Sequence, residues 1–159
     1  MKYTKSNLCQ LGWLSCVGCC GRKFSDKLTL SKGIEKNTLE YLRHSESGKT
    51  MQHFMNRSND LRECGICRNV VYNVKNNTLY CPLHPDMNRG EDLRIDHKFC
   101  DIMHICKTAY FFDLWEDPMK KEFMQFLRKK KKNGLDWYNY SKGMADDSLL
   151  EEFEGLKWD

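Results

Sequence analysis

No stretch of this 159-residue chain approaches the ~18 consecutive apolar residues of a membrane-spanning helix, which excludes that class. The beginning, MKYTKSNLCQLGWLSC, also lacks an unbroken apolar run of about 7–15 residues. Cys9, Gln10, Gly12 and Ser15 interrupt it, so neither a secretory leader nor a lipoprotein signal at Leu14-Ser15-Cys16 is expected. Excess charge of one sign is small: 26 Lys and Arg against 22 Asp and Glu leave +4, too little to announce a nucleic-acid binder. The HExxH element that marks many hydrolytic zinc enzymes is absent. Asp96 beside His97 and Asp101 beside Cys100 do not nominate a general base, so catalysis is not expected. There is no internal repeat and no linker-like tract. Hydrophobic residues at 40% and charged residues at 30% fit a globular chain, read as one domain over residues 1–159.

What is abundant is cysteine: nine, with five histidines. Without a leader the expected compartment is the reducing cytoplasm, where spaced cysteines point to metal more than to disulfides. They fall into three groups: Cys16-x-x-Cys19-Cys20; Cys64-x-x-Cys67 with Cys81-x-x-His84; and His97-x-x-Cys100-x-x-x-His104-x-Cys106. Two residues between ligands let a tight turn aim both side chains at one tetrahedral ion, and Gly65 permits such a turn. Val70, Val71, Tyr72 and Val74, then Thr78, Leu79 and Tyr80, read as a β-hairpin turning at Lys75-Asn76-Asn77. That hairpin would return Cys81 to the Cys64-x-x-Cys67 knuckle, so these three cysteines are expected to share an ion.

Adjacent side chains diverge, so Cys19 and Cys20 are expected to serve different ions, or one of them to bridge. Cys16, Cys19, Cys20, Cys64, Cys67, Cys81, Cys100 and Cys106 supply enough thiols for two four-coordinate sites, with Cys9 left over. His84, His97 and His104 are further candidate ligands; on a helix His97, Cys100 and His104 would share one face. They would serve equally well as groups that hydrogen-bond a thiolate. Along a regular helix Cys100 and Cys106 would be about 9 Å apart at ~1.5 Å per residue. They should therefore serve different ions, or the helix should begin only after Cys100. The Cys16–Cys20 element is expected to dock against the segment from Cys100 to Cys106.

Elsewhere the pattern is helical. Leu28, Ile34, Leu39, Tyr41 and Leu42, then Met51, Phe54 and Met55, predict two amphipathic helices within 25–60, broken at residues 45–48. Residues 99–115 predict a buried helix. Asp117-Pro118 opens another helix, with a Met119, Phe123, Phe126, Leu127 stripe and a stop at Asn133-Gly134. A last helix starts at Ser148, with Glu151 completing a capping box. The expected fold is a small α+β domain, predominantly α-helical, with a metal-knuckle β-hairpin and a helical region over 117–159.

The order Cys16-Val-Gly-Cys19-Cys20-Gly21, a helical stretch, then Cys64, Cys81, a basic residue and Cys100 resembles the YkgJ-type cysteine-rich family, described as zinc- or iron-chelating. The resemblance covers residues 13–107. It implies metal binding through eight cysteines on a mostly helical fold. The Arg-Pro usual before a late cysteine in that family is missing; Cys81-Pro-Leu-His-Pro85 and Arg89 stand nearby instead. No S-adenosylmethionine-binding glycine loop is visible, so the methyl transfer of some members does not carry over.

The reading is a protein that binds one or two zinc ions in cysteine-rich structural sites. One alternative is an iron site or iron–sulfur redox cluster, although the usual closely spaced cysteine run is missing. Another is a zinc-ribbon-like nucleic-acid module, using Arg128–Lys132 and the aromatic rings of Trp137, Tyr138 and Tyr140. Against it stand the acidic residues Asp146, Asp147, Glu151, Glu152 and Glu154.

Overall fold

A computed structural model of the chain describes residues 6–58, 60–95 and 97–158. Asp96 and the first five residues of the leader reading lie outside the described residues. The protein is mostly helical, with α1 (Lys27–Glu46), α2 (Met51–Met55), α3 (Lys107–Leu114), α4 (Asp117–Lys132), α5 (Trp137–Ala145) and α6 (Ser148–Trp158). One antiparallel pair, β1 (Val71–Asn73) and β2 (Thr78–Tyr80), lies between α2 and α3 with Val71 opposite Tyr80 and Asn73 opposite Thr78. The α+β, mainly helical fold and the hairpin with its turn are as the sequence predicts. Among the described residues no helix is long and apolar enough to cross a membrane.

Two cores organise these elements. The larger joins α3 to α6, where Phe123 and Phe153 meet edge-on with ring centroids 5.0 Å apart and Trp115 stacks against both. Leu127, Tyr140, Met144 and Leu149 complete it, so the predicted α4 stripe does face inward. The smaller core packs α1 on the hairpin and the knuckle loop through Leu30, Ile34, Ile66, Val70 and Leu79. Residues 6–20 lie across both cores: Leu8 and Leu14 enter the first and Val17 the second.

Three expectations need correction. The buried face of α1 is Leu30, Gly33, Ile34 and Asn37, whereas Leu28, Leu39 and Leu42 are 66%, 54% and 49% exposed. Of the expected stripe Ile34 does face inward, joined by Leu30, Gly33 and Asn37, and the Asn37 side-chain amide donates to the carbonyls of Cys67 (3.0 Å) and Val70 (2.8 Å). Gly33 completes the fit, since a Cβ on it would stand 2.7 Å from the Cys64 Sγ. Second, no buried helix fills 99–115. Asp101 accepts the Met103 amide in a side-chain turn that competes with helix, and α3 begins only after Cys106. Third, the residue at the N-cap position of α4 is Glu116, not Asp117, and it makes no side-chain cap bond; α5 falls within the region expected to be helical.

Arginines complete the seam between α1 and the knuckle. Arg62 donates to Asn37 (2.7 Å) and Glu40 (2.6 Å), and Arg57 to Glu40 (2.8 Å) and Asn69 (2.9 Å). Burial alone would raise the Glu40 carboxyl, but the two guanidinium groups outweigh it and hold it below the usual range. A carboxyl depressed in the folded state contributes stability at neutral pH, and that contribution fades as pH falls through the ordinary carboxylate range.

Asn37→Ala should lower stability by about 2–3 kcal/mol, because it leaves two buried carbonyls and part of Arg62 without partners. Urea unfolding measures this. Glu40→Gln should leave less stability to lose on acidification than the parent protein has, read from melting curves between pH 7 and pH 4.

Candidate functional site

The first cysteine segment carries almost no regular structure, so its backbone is held by side chains. Gln10 and Ser15 bridge, and the Cys16 amide donates to the Cys9 carbonyl at 3.0 Å, which sets Cys9 beside Cys16. The Tyr140 hydroxyl donates to the Leu8 carbonyl (2.7 Å), and Ser141 Oγ accepts from the Val17 amide (2.9 Å). On the other flank Ser15 Oγ accepts from the Leu79 amide (2.8 Å) and Gln10 donates to the Leu79 carbonyl (2.7 Å). α5 and β2 thus clamp the segment from both sides.

The next residues run antiparallel to the knuckle loop. The Cys67 amide donates to the Cys20 carbonyl (2.8 Å) and the Arg22 amide to the Gly65 carbonyl (2.9 Å), which brings Cys20 to Cys67. Gly65 takes φ +92°, as a turn of this tightness requires. Cys64 is buried in the smaller core against Gly33, and Cys67, less buried, packs against the same core beside Cys20.

The electrostatics of the thiols define two sets. In the first, burial pushes Cys9 up to about 12, and the thiolate charges of Cys19 and Cys106 add to the rise. Burial raises Cys16 as well, reinforced by Cys9, Cys19 and Cys106. In the second, burial pushes Cys81 up to about 12, with Cys67 and Cys100 adding to it. Cys100 is raised to about 11, again by burial first. Cys19 and Cys20 meet at the boundary: the Cys20 thiol shares its proton with Cys19, which favours the Cys19 thiolate and holds Cys20 high. Cys67 and Cys81 add to that rise of Cys20. These mutual effects group Cys9, Cys16, Cys19 and Cys106 on one side and Cys20, Cys67, Cys81 and Cys100 on the other, with Cys19 acting on Cys20 and Cys100 as well.

Backbone amides are aimed at several of these sulfurs. Gly18 N–H donates to Cys16 Sγ at 3.4 Å, and the amides of Asn69, Leu83 and Ala109 favour the thiolates of Cys67, Cys81 and Cys106. An amide two or three residues on that points back at a thiol favours a negatively charged sulfur. Arg94 acts on both groups: its charge favours the thiolates of Cys9, Cys19, Cys81 and Cys100, while Arg57 acts on Cys67. Asp92 grips it with two 2.8 Å bonds, and both side chains are largely buried. Sequence reading missed Arg94; the Asp-x-Arg spacing between Cys81 and Cys100 was its only signal.

The histidines are placed less centrally. His84 uses Nδ1 to accept the Asp86 amide (3.2 Å), capping a short 3-10 turn. His97 is buried, with no hydrogen-bond partner at Nδ1 among the described residues, and burial, then the Arg57 charge, push its pKa below the usual imidazole value. His104 is exposed, and its charge favours the Cys19 thiolate. His97, Cys100 and His104 lie in successive turns, so the shared helical face does not exist. Tyr140, one of the suggested base-stacking rings, is fully buried. Among the described residues, no three His, Cys, Asp or Glu side chains form a ready-made coordination shell.

Because one hydroxyl anchors the Cys9–Cys16 loop, Tyr140→Phe should cost about 1–3 kcal/mol by leaving the Leu8 carbonyl buried and unpaired. It should also raise the rate at which Cys9 and Cys16 react with a thiol reagent in the native protein. Thiol labelling followed by mass spectrometry reads both cysteines separately.

Comparison with protein-family models, with curated proteins and with solved structures finds no match to this chain.

Proposed function

We propose that the chain is a zinc-binding protein that takes two ions, one in each set of four thiols, and that the metal ties its two cores together. What supports this reading is that the mutual electrostatic effects of eight cysteines, drawn from distant parts of the sequence, group them four and four, with Cys19 reaching both groups. Zinc accepts four sulfur ligands in a tetrahedron without redox chemistry. The donor set fits: amides already point at Cys16, Cys67, Cys81 and Cys106, and Arg94 offsets part of the negative charge that eight thiolates would gather. The resemblance to the YkgJ-type family points the same way.

In this proposal Cys9 takes the place that sequence spacing gave to Cys64. Cys9 lies beside Cys16 through the backbone bond between them, whereas Cys64 is engaged with Gly33 and Ile66. Cys100 and Cys106 belong to different sites, and the irregular chain between them provides the separation. The bound ion supplies cross-linking: ligands from residues 9–20, 67–81 and 100–106 would be held at one place in the fold. Structural metal binding of this kind is folding free energy.

The test combines metal analysis with mutation. Protein purified without added metal should contain about two zinc ions per chain, and Cys9→Ser should lose one of them. Cys64→Ser should keep both. If Cys9→Ser keeps full metal content while Cys64→Ser loses an ion, the sequence grouping is right and this one is wrong. Chelation should lower the melting temperature and the helical circular dichroism; no change after demonstrated metal removal would sink the structural role. Visible absorbance with iron in place of zinc would replace the reading by an iron–sulfur one.

A further inference from the structure

A cleft on the other side of the knuckle loop, apart from both thiol sets, has a different chemistry. It is lined by Thr29, Lys32, Gly33 and Lys36 of α1 and by Arg62, Glu63, Cys64 and Arg68 of the loop, with a volume of about 400 Å³. That volume falls in the ~300–1,000 Å³ range of small-ligand sites. The spacing 29, 32, 33, 36 puts the four α1 residues on one helix face, and Gly33 packs closely on the Cys64 sulfur at the floor. Four cations line it against one carboxylate, Glu63.

The cations differ in how they are held. Arg62 is fixed from behind by Asn37 and Glu40, and Glu40 must also serve Arg57. Arg68 is gripped by Asp60 through two bonds of 3.0 and 3.2 Å. These guanidinium groups are pre-oriented, with side chains only 13% and 23% exposed. Lys32 and Lys36 are exposed and have no ion pair among the described residues. With Arg62 paired to Glu40 and Arg68 to Asp60, the cleft offers an anion with several oxygens the ammonium groups of Lys32 and Lys36 and the guanidinium N–H groups that those pairs do not use. Guanidinium forks suit phosphoryl geometry, and lysines add point charge.

We propose that this cleft binds a small ligand carrying a phosphoryl or polyphosphate group. The proposal is independent of the metal sites, because no lining residue belongs to either thiol set. Cys64 contributes apolar floor and packing, which gives a buried cysteine in a metal-rich sequence a place outside the thiol sets.

The experiment is a titration of the metal-replete protein with inorganic pyrophosphate and with ATP, followed by amide shifts in two-dimensional NMR. Saturable shifts confined to residues 29–36 and 62–68 are expected. Lys32→Ala/Lys36→Ala should weaken binding at least about tenfold, and Lys32→Arg/Lys36→Arg should restore it. These lysines are exposed on a helix, so the variants should fold, and unchanged helical circular dichroism and melting temperature check that they do. Lys129→Ala/Lys131→Ala on α4 should have no effect. Shifts spread equally over Lys129–Lys132, or equal affinity in the Lys32/Lys36 double variant, would overturn the site. A single-stranded oligonucleotide that moves the same amides at lower concentration than ATP would overturn the small-ligand assignment in favour of a nucleic-acid backbone.

Discussion

The rest of the molecule depends on how residues 6–20 are held between two hydrophobic cores. The segment has little repeating backbone bonding of its own, yet Leu8, Ser15 and Val17 are buried. Buried amides and carbonyls must be paired, and here Tyr140, Ser141, Ser15 and Gln10 make the pairs. Each such bond contributes only about 1 kcal/mol net, but leaving its partner unpaired costs more. The arrangement is therefore cooperative. β2 and α5 must both be in place before the first cysteine segment can settle, and four of the eight grouped thiols sit on that segment.

Burial of so many thiols brings a charge problem. Water would stabilise thiolates; the interior does not, and neighbouring sulfurs oppose one another's ionisation. The protein answers with directed amides and with Arg94. An arginine this buried costs desolvation, which Asp92 repays through two hydrogen bonds, and the surplus positive field falls on Cys81 and Cys100. The pair is fixed by its own short loop, so the cation does not depend on the thiols for its orientation. In the proposed metal-bound protein, the same cation would balance two sites that each carry more negative than positive charge.

The second organising seam, between α1 and the knuckle loop, uses polar groups where a leucine stripe was expected. Asn37 closes two carbonyls of the knuckle, Arg62 holds Asn37, and Glu40 joins Arg62 to Arg57. Thr38 adds a further link, accepting the Tyr72 amide from β1 at 3.0 Å. This seam positions Cys67 on one side and lines the basic cleft on the other. One set of interactions thus shapes both candidate sites.

Local chemistry determined a good part of this structure without reference to anything distant. Alternation of β-formers around Lys75-Asn76-Asn77 made the hairpin, the 119, 123, 126, 127 stripe made α4, and Ser148 opened α6. Gly65 made the knuckle turn possible. These features depend on neighbours within a few residues, so the sequence carries them openly. The thiol sets do not. Spacing placed Cys64 with Cys67, but the buried face of α1 drew Cys64 under Gly33, and a backbone bond between Cys9 and Cys16 brought in the cysteine that spacing had left over. The helix expected over 99–115 begins only at Lys107, and Arg94 lies in the irregular chain before it, where no local pattern marks its place near the thiols. Which residue a side chain finally faces is decided by competition among elements far apart in sequence, and only tertiary packing resolves it.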